Sequence, residues 1–286
     1  MKVYHDHTYM SLVKDILSKS DRKDDRTGTG TMAVFGRELR FNLRDNIIPL
    51  LTTKKMHIPS IVHELLWYLK GDTNIKYLQD NGIRIWNEWA DENGDLGPVY
   101  GKQWRDWGGY KLYKVDYKDF STSETDPHVG IDQIATVIDT LRTNPMSRRM
   151  IVNSWNVTDL EKMALPPCHA FFQFYVADNK LSCKLTQRSC DVGLGVPFNI
   201  AQYSILTCMM AHITGFYPGD FVWSGGDVHI YDNHFRQMLT LNGRRAYPSP
   251  TLWLNPDVKE IDDFTYEDIE IQNYKHHEAI KMEVSV

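Results

Sequence analysis

Helical stripes and strand-like runs follow one another along this chain without regular alternation, and that order limits the fold more than any single residue does. Apolar side chains recur at helical spacing over residues 58–70, where Ile58, Ile61, Leu65, Leu66 and Leu69 share one face. Ile131, Ile134, Val137, Ile138 and Leu141 do the same over residues 131–141. Aromatic and β-branched runs bounded by turn residues mark strands at 150–155, 169–176, 181–186 and 220–223. A third helix is predicted from Pro197 or Phe198 to Ile213, because proline suits a first helical turn. Strand follows strand before the next helix arrives, so the expectation is an α+β fold instead of a doubly wound parallel sheet. With 286 residues, 42% of them hydrophobic, and no internal repeat or low-complexity linker, one domain spanning residues 1–286 is expected. Only residues 107–130 carry a weak pattern, with the polar run Ser121-Thr122-Ser123-Glu124-Thr125-Asp126-Pro127 near their end, which predicts a surface insertion.

Several function classes fall away on composition. The apolar runs are shorter than the ~20 residues a spanning helix needs, and the first residues lack the apolar stretch of a signal peptide. A cytoplasmic protein with no membrane partner is therefore expected. Cys168, Cys183, Cys190 and Cys208 show neither disulfide density nor a Cys-x-x-Cys spacing, so free thiols and no metal are expected. A formal charge of −5 argues against nonspecific nucleic-acid binding and leaves room for a local cationic pocket that holds one phosphate.

Cys168 stands in Leu165-Pro166-Pro167-Cys168-His169, just ahead of a predicted strand. Proline fixes its own φ and biases the preceding residue to extended geometry, so the two prolines would present the sulfur at a defined angle. Arg188, in Gln187-Arg188-Ser189-Cys190-Asp191, supplies a guanidinium that would lower the thiol pKa towards the nucleophilic thiolate. The glycine-rich Asp25-Arg26-Thr27-Gly28-Thr29-Gly30 lacks a following Gly-Lys-Ser/Thr and leads into strand-like Met32-Ala33-Val34-Phe35, so it reads as a turn between strands, from which Arg26 could close on an anion. Ser147-Arg148-Arg149, taken alone, is a solvated pair of charges.

Together these segments resemble the thymidylate synthase family, which is folate-dependent and includes pyrimidine hydroxymethylases, over nearly the whole chain. The resemblance rests on the motifs quoted above and on His63-Glu64-Leu65-Leu66-Trp67, Trp86-Asn87-Glu88-Trp89, Gly97-Pro98-Val99-Tyr100-Gly101-Lys102-Gln103-Trp104-Arg105, Pro197-Phe198-Asn199-Ile200-Ala201 and Gly225-Gly226-Asp227-Val228-His229-Ile230-Tyr231, all in the family's order. It implies a large mixed or antiparallel twisted sheet covered by helices, with the sheet packing at a homodimer interface. It also implies the reaction: a thiolate, here Cys168, adds to C6 of 2′-deoxyuridine 5′-monophosphate (dUMP), and C5 takes the one-carbon unit of the co-substrate 5,10-methylenetetrahydrofolate. Similarity assigns the phosphate to Arg26, Arg188 and Ser189, joined by Arg148 and Arg149 from the other subunit, with Gln187 beside the nucleotide. Asn199 would read the uracil edge, and His229 with Tyr231 would hold the ribose 3′-hydroxyl.

The same resemblance makes Glu64 a buried acid, its pKa raised by burial, that relays protons to the pyrimidine O4 and the folate. Tyr100 assists removal of the C5 proton, and His169 and Asn199 order the water around it. The folate would lie on His57, Ile85, Trp86, Trp89, Leu165 and Phe198, with Asp191 accepting from the pterin and the tail 283–286, ending in Val286, folding over both ligands. Thr186, Gly193, Gln202 and Asn153-Ser154 depart from the family pattern and imply a wetter pocket. Water in place of hydride as the final acceptor would make the chain a dUMP hydroxymethylase, the alternative to a synthase with every site residue retained. Trp86, Leu165 and the short aliphatic tail, which shield the reacting carbon, favour the synthase. An inactive nucleic-acid-binding relative conflicts with the net acidity, and a Cys168–His169 hydrolase conflicts with adjacent strand residues pointing to opposite faces.

Overall fold

The computed structural model describes residues 2–25, 28–108, 113–116, 121–124 and 130–284. In chain order the elements are α1 (Asp6–Lys19), β1 (Asp21–Lys23), β2 (Thr31–Asn42), α2 (Ile58–Leu69), α3 (Lys76–Asp80), α4 (Tyr100–Arg105), β3 (Tyr113–Asp116), β4 (Ser121–Glu124), α5 (Gln133–Thr143), β5 (Ile151–Asn153), β6 (His169–Ala177), β7 (Lys180–Asp191), α6 (Gly195–Thr214), β8 (Tyr217–Tyr231), α7 (Phe235–Asn242), β9 (Thr251–Leu254) and β10 (Ile269–Gln272). Six strands form one mixed sheet in the order β1-β2-β8-β7-β6-β5, antiparallel except where β7 runs beside β8. The α+β expectation holds, and the sheet is mixed as expected. β7, α6 and β8 form a single βαβ unit inside an otherwise antiparallel sheet.

Burial follows the sequence pattern. On β6, Phe172, Phe174 and Val176 point into the core while Phe171 and Tyr175 remain exposed on the opposite face. Ile151 of β5 is exposed on the same face as Phe171. α2 is buried along nearly its whole length and starts on His57, whose Nδ1 accepts from the Ser60 amide, with Pro59 in the first turn. α6 is apolar all round and crosses the core, and its Ser204 and Thr207 hydroxyls donate to the carbonyls of Ile200 and Tyr203 at 2.7 Å. It stops at Gly215, whose φ of +77° suits glycine. Each fully buried Trp, Phe or Leu contributes about 1.5–3 kcal/mol relative to exposure.

β7 and β8 run far beyond the strands expected at 181–186 and 220–223. The extra length carries Gln187-Arg188-Ser189-Cys190-Asp191 and Gly225-Gly226-Asp227-Val228-His229-Ile230-Tyr231 on two paired strands, so both motifs reach one end of the sheet in register. A side chain at Gly225 would place its Cβ 2.4 Å from the Trp223 ring, which explains a glycine inside a central strand. Residues 107 and 131 form an antiparallel bridge, and β3 pairs with β4 between them, two strands the weak pattern of 107–130 does not disclose. Among the described residues no helix is long and apolar enough to cross a membrane.

Candidate active site

At the end of the sheet where β7 and β8 carry their motifs, a cleft of about 810 Å³ opens. Cys168 lies half-buried on its wall, held by backbone: its amide donates to the Tyr100 hydroxyl at 2.8 Å and its carbonyl accepts from the Arg188 amide at 2.8 Å. The Arg188 guanidinium donates to the carbonyls of Pro167 and Pro166, each at 2.8 Å, and its Cζ stacks 5.1 Å from the centre of the Trp155 ring. One cation thus braces the proline turn that presents the sulfur.

That arrangement corrects the expected thiol electrostatics. Burial pushes the Cys168 pKa up, Arg188 pulls it down and Asp191 pushes it up again, for a net rise. Sequence spacing discloses the guanidinium but not the desolvation that outweighs it. In the free chain the thiolate is therefore the minor form at neutral pH, and Arg188 makes it accessible.

Glu64, from the middle of α2, also lines the cleft. Trp86 Nε1 donates to its Oε1 at 2.7 Å and Gln202 Nε2 donates to its Oε2 at 2.9 Å. Burial raises the Glu64 pKa, against the opposing donors Trp86, Tyr68 and Gln202. Tyr100 stacks on His169 with ring centres 3.8 Å apart, and burial holds its phenol well above the ordinary value. His169 bonds through Nδ1 to the Tyr203 hydroxyl at 2.6 Å, and burial lowers its pKa to about 3. The imidazole is neutral at physiological pH.

Asn199 is oriented by a relay of donors. The Trp223 indole can only donate, and it does so to Gln187 Oε1 at 2.8 Å, which turns the Gln187 amide nitrogen towards Asn199 Oδ1 at 3.1 Å. His229 Nδ1 lies 3.0 Å from Asp227, whose other oxygen binds Lys23 at 2.5 Å. Burial pushes the Asp227 pKa up, but Lys23 and His229 outweigh it and hold the carboxyl below its ordinary value. Asp191 accepts from the amides of Gly193 at 2.8 Å and Leu194 at 3.3 Å, which fixes its carboxylate at the mouth of α6.

Of the expected residues, Cys168, Glu64, Tyr100, His169, Asn199 and Asp191 line this one cleft. Gln187, Arg188, Ser189, His229 and Tyr231 also line it, as do the apolar Ile85, Trp86, Trp89, Leu165 and Phe198. His57 is exposed and engaged as the cap of α2, away from the cleft lining. Arg148 and Arg149 are exposed on the loop before β5, also away from it. Arg26 and Val286 lie outside the described residues, although Lys23 to Asp25 on one flank and Val284 on the other border the cleft.

The departures from the family pattern do not themselves line the cleft. Thr186, Gly193, Gln202, Asn153 and Ser154 are not among the lining residues. Ser154 Oγ accepts from the Trp104 indole at 2.8 Å, which satisfies a buried donor. A Cβ at Gly193 would meet His234 Nδ1 at 2.6 Å and Met282 Sδ at 3.2 Å, so glycine makes room for the carboxyl-terminal segment, to which His234 Nε2 donates at the Glu283 carbonyl, 2.7 Å away. Tyr68, Tyr203, Asp227 and His234 are not singled out by the sequence because each acts through another residue: Tyr68 through Glu64, Tyr203 through His169, Asp227 through His229 and His234 through the carboxyl-terminal segment. The His-x-Tyr spacing of 229 and 231, with Asp227 two places before, was the one available signal.

A presented thiol, a buried carboxyl, a fixed amide and a cation around one cleft are the equipment of covalent nucleophilic catalysis. The family model described as thymidylate synthase matches residues 7–286, and the chain belongs to that family. Membership brings the coarse activity: a folate-dependent one-carbon transferase acting on dUMP. Among the described residues no group of three His, Cys, Asp or Glu side chains is arranged to hold a metal ion.

Proposed function

We propose that the protein catalyses the reductive methylation of dUMP to dTMP, with 5,10-methylenetetrahydrofolate as the co-substrate that supplies the one-carbon unit and the hydride. The observation that carries this reading is the convergence of Cys168, Glu64, Asn199 and Arg188 on one cleft lined by both polar and apolar side chains. Cys168 adds to C6 of the pyrimidine, and Arg188, already braced against the proline turn, favours the thiolate and receives the phosphate with Arg26 and Ser189. Arg148 and Arg149 of a partner subunit complete that phosphate site. The exposed Ile151, Phe171 and Tyr175 on the bare face of the sheet support the homodimer this requires.

Asn199, turned by Gln187, donates its amide hydrogens to O4 and accepts from N3–H with the second lone pair of Oδ1. His229, oriented by Asp227, and Tyr231 hold the ribose hydroxyl. Glu64 moves protons at O4, a role suited to a carboxyl whose pKa is raised towards neutrality. Tyr100, held protonated, positions the water that takes the C5 proton, and neutral His169 supports its ring. The apolar lining fits a folate: Trp86, Trp89 and Phe198 offer stacking surfaces, Ile85 and Leu165 exclude water, and Asp191 accepts from the pterin. His57 and the tail ending in Val286 would complete the folate's contacts.

A product assay tests the reaction. One dihydrofolate per thymidylate is expected. Tetrahydrofolate with 5-hydroxymethyl-deoxyuridylate would instead make the protein a hydroxymethylase.

A further inference from the structure

Gln202 of α6 is 1% exposed and faces Glu64 across the core. Its Nε2 donates to Glu64 Oε2 at 2.9 Å, while its Oε1 is buried and meets no donor among the described residues. A buried amide oxygen without a protein donor is costly, and its neighbour supplies the reason. The Trp86 indole donates to Glu64 Oε1 and can do nothing else, so that oxygen is an acceptor in either protonation state. A proton on Glu64 therefore belongs on Oε2, the atom Gln202 faces. A carboxamide serves both states. Its NH₂ donates to an ionised Oε2, and a half-turn about the last side-chain bond brings the unpartnered Oε1 to accept from Oε2–H.

We propose that Gln202 is a positioning residue that matches the protonation state of Glu64 and sets the pH at which that carboxyl titrates. The titratable groups facing Glu64 are Tyr68 of α2, Tyr100 of α4 and Tyr203 of α6. Burial pushes all three phenols far up, so they stay neutral while Glu64 changes charge. In the present orientation Gln202 stabilises the ionised form, and its loss raises the pKa of Glu64. Whichever limb of the activity profile Glu64 sets then moves to higher pH. The proposal rests on the proton-handling role given to Glu64 above.

Infrared titration of the free protein reads the protonated carboxyl band directly, with Glu64→Gln identifying it. Gln202→Met is expected to move its midpoint up by about one to two pH units, the loss of one hydrogen bond to a charged group. Gln202→Ser should do the same, and the near-isosteric Gln202→Glu, which sets a second carboxyl opposite Oε2, should push one midpoint higher still if both shorter or apolar variants fail to fold. A midpoint that stays put in a folded variant overturns the proposal. The band is read without turnover, so a protein that made no thymidylate would sink the proposed function while leaving this result standing.

Discussion

Cys168 and the core cysteines Cys183 and Cys208 are thiols of one chain in two kinds of surroundings. Cys183 and Cys208 are each 1% exposed, and burial raises both to about 12, with no cation among the described residues acting on either. Cys168 is also pushed up by burial, but it is half-buried at a cleft and Arg188 pulls against the rise. Desolvation alone makes a thiol inert; desolvation beside a fixed cation, with an open side for a ligand, makes one that can be called into use. The difference lies in the surroundings, not in the residue.

Replacing the sulfur breaks the comparison most severely. Cys168→Ser should lower kcat by at least about 10³-fold with little change in melting temperature, since it removes a nucleophile and not a core contact. Turnover within tenfold of the parent would show that no covalent step depends on this atom. Removing the cation sharpens the comparison at intermediate size. Without Arg188 the thiolate loses its stabilising charge, so the Cys168 pKa rises, and the alkylation midpoint of Arg188→Ala should move up by about one pH unit. A midpoint that stays put or falls would show that Arg188 does not hold the thiol pKa down. The smallest effect belongs to the core. Cys208→Ser buries a hydroxyl in place of a thiol and should cost about 1–3 kcal/mol of stability, read as a lower denaturant midpoint, while kcat is unchanged.

Stability should also fall as acid is added, for a reason the site itself supplies. His169 has its pKa lowered to about 3 in the folded chain against 6.5 unfolded, so the unfolded state binds the extra proton in that window. Its contribution is fully present above pH ~6.5 and is lost at up to about 1.4 kcal/mol per pH unit on the way down. A His169→Gln variant whose acid unfolding keeps the parental slope would remove His169 as the cause.

Much of this was legible in the chain. The stripe of Ile61, Leu65 and Leu69 gave α2 to within a residue, because a helix buried on one face repeats that face in sequence. The proline turn at Cys168 and the motif residues were visible because chemistry needs particular side chains. β7 and β8 were read short because their last residues, Arg188 and Gly225-Gly226 among them, serve the cleft and break the alternation of a core strand. The thiol pKa was misjudged because charge can be read from spacing and burial cannot. Gln202 stays hidden because its meaning comes from Glu64, which only the packing of α2 against α6 brings near, and Tyr68, four places after Glu64 on α2, because spacing does not show that the pair is buried.

The central claim is that Cys168 sulfur bonds to the pyrimidine ring. Incubation with 5-fluoro-deoxyuridylate and 5,10-methylenetetrahydrofolate should trap that bond, since fluorine at C5 cannot leave as a proton, and peptide mass mapping should find the nucleotide on the Cys168 peptide. No adduct, or an adduct on Cys183, Cys190 or Cys208, would contradict the account.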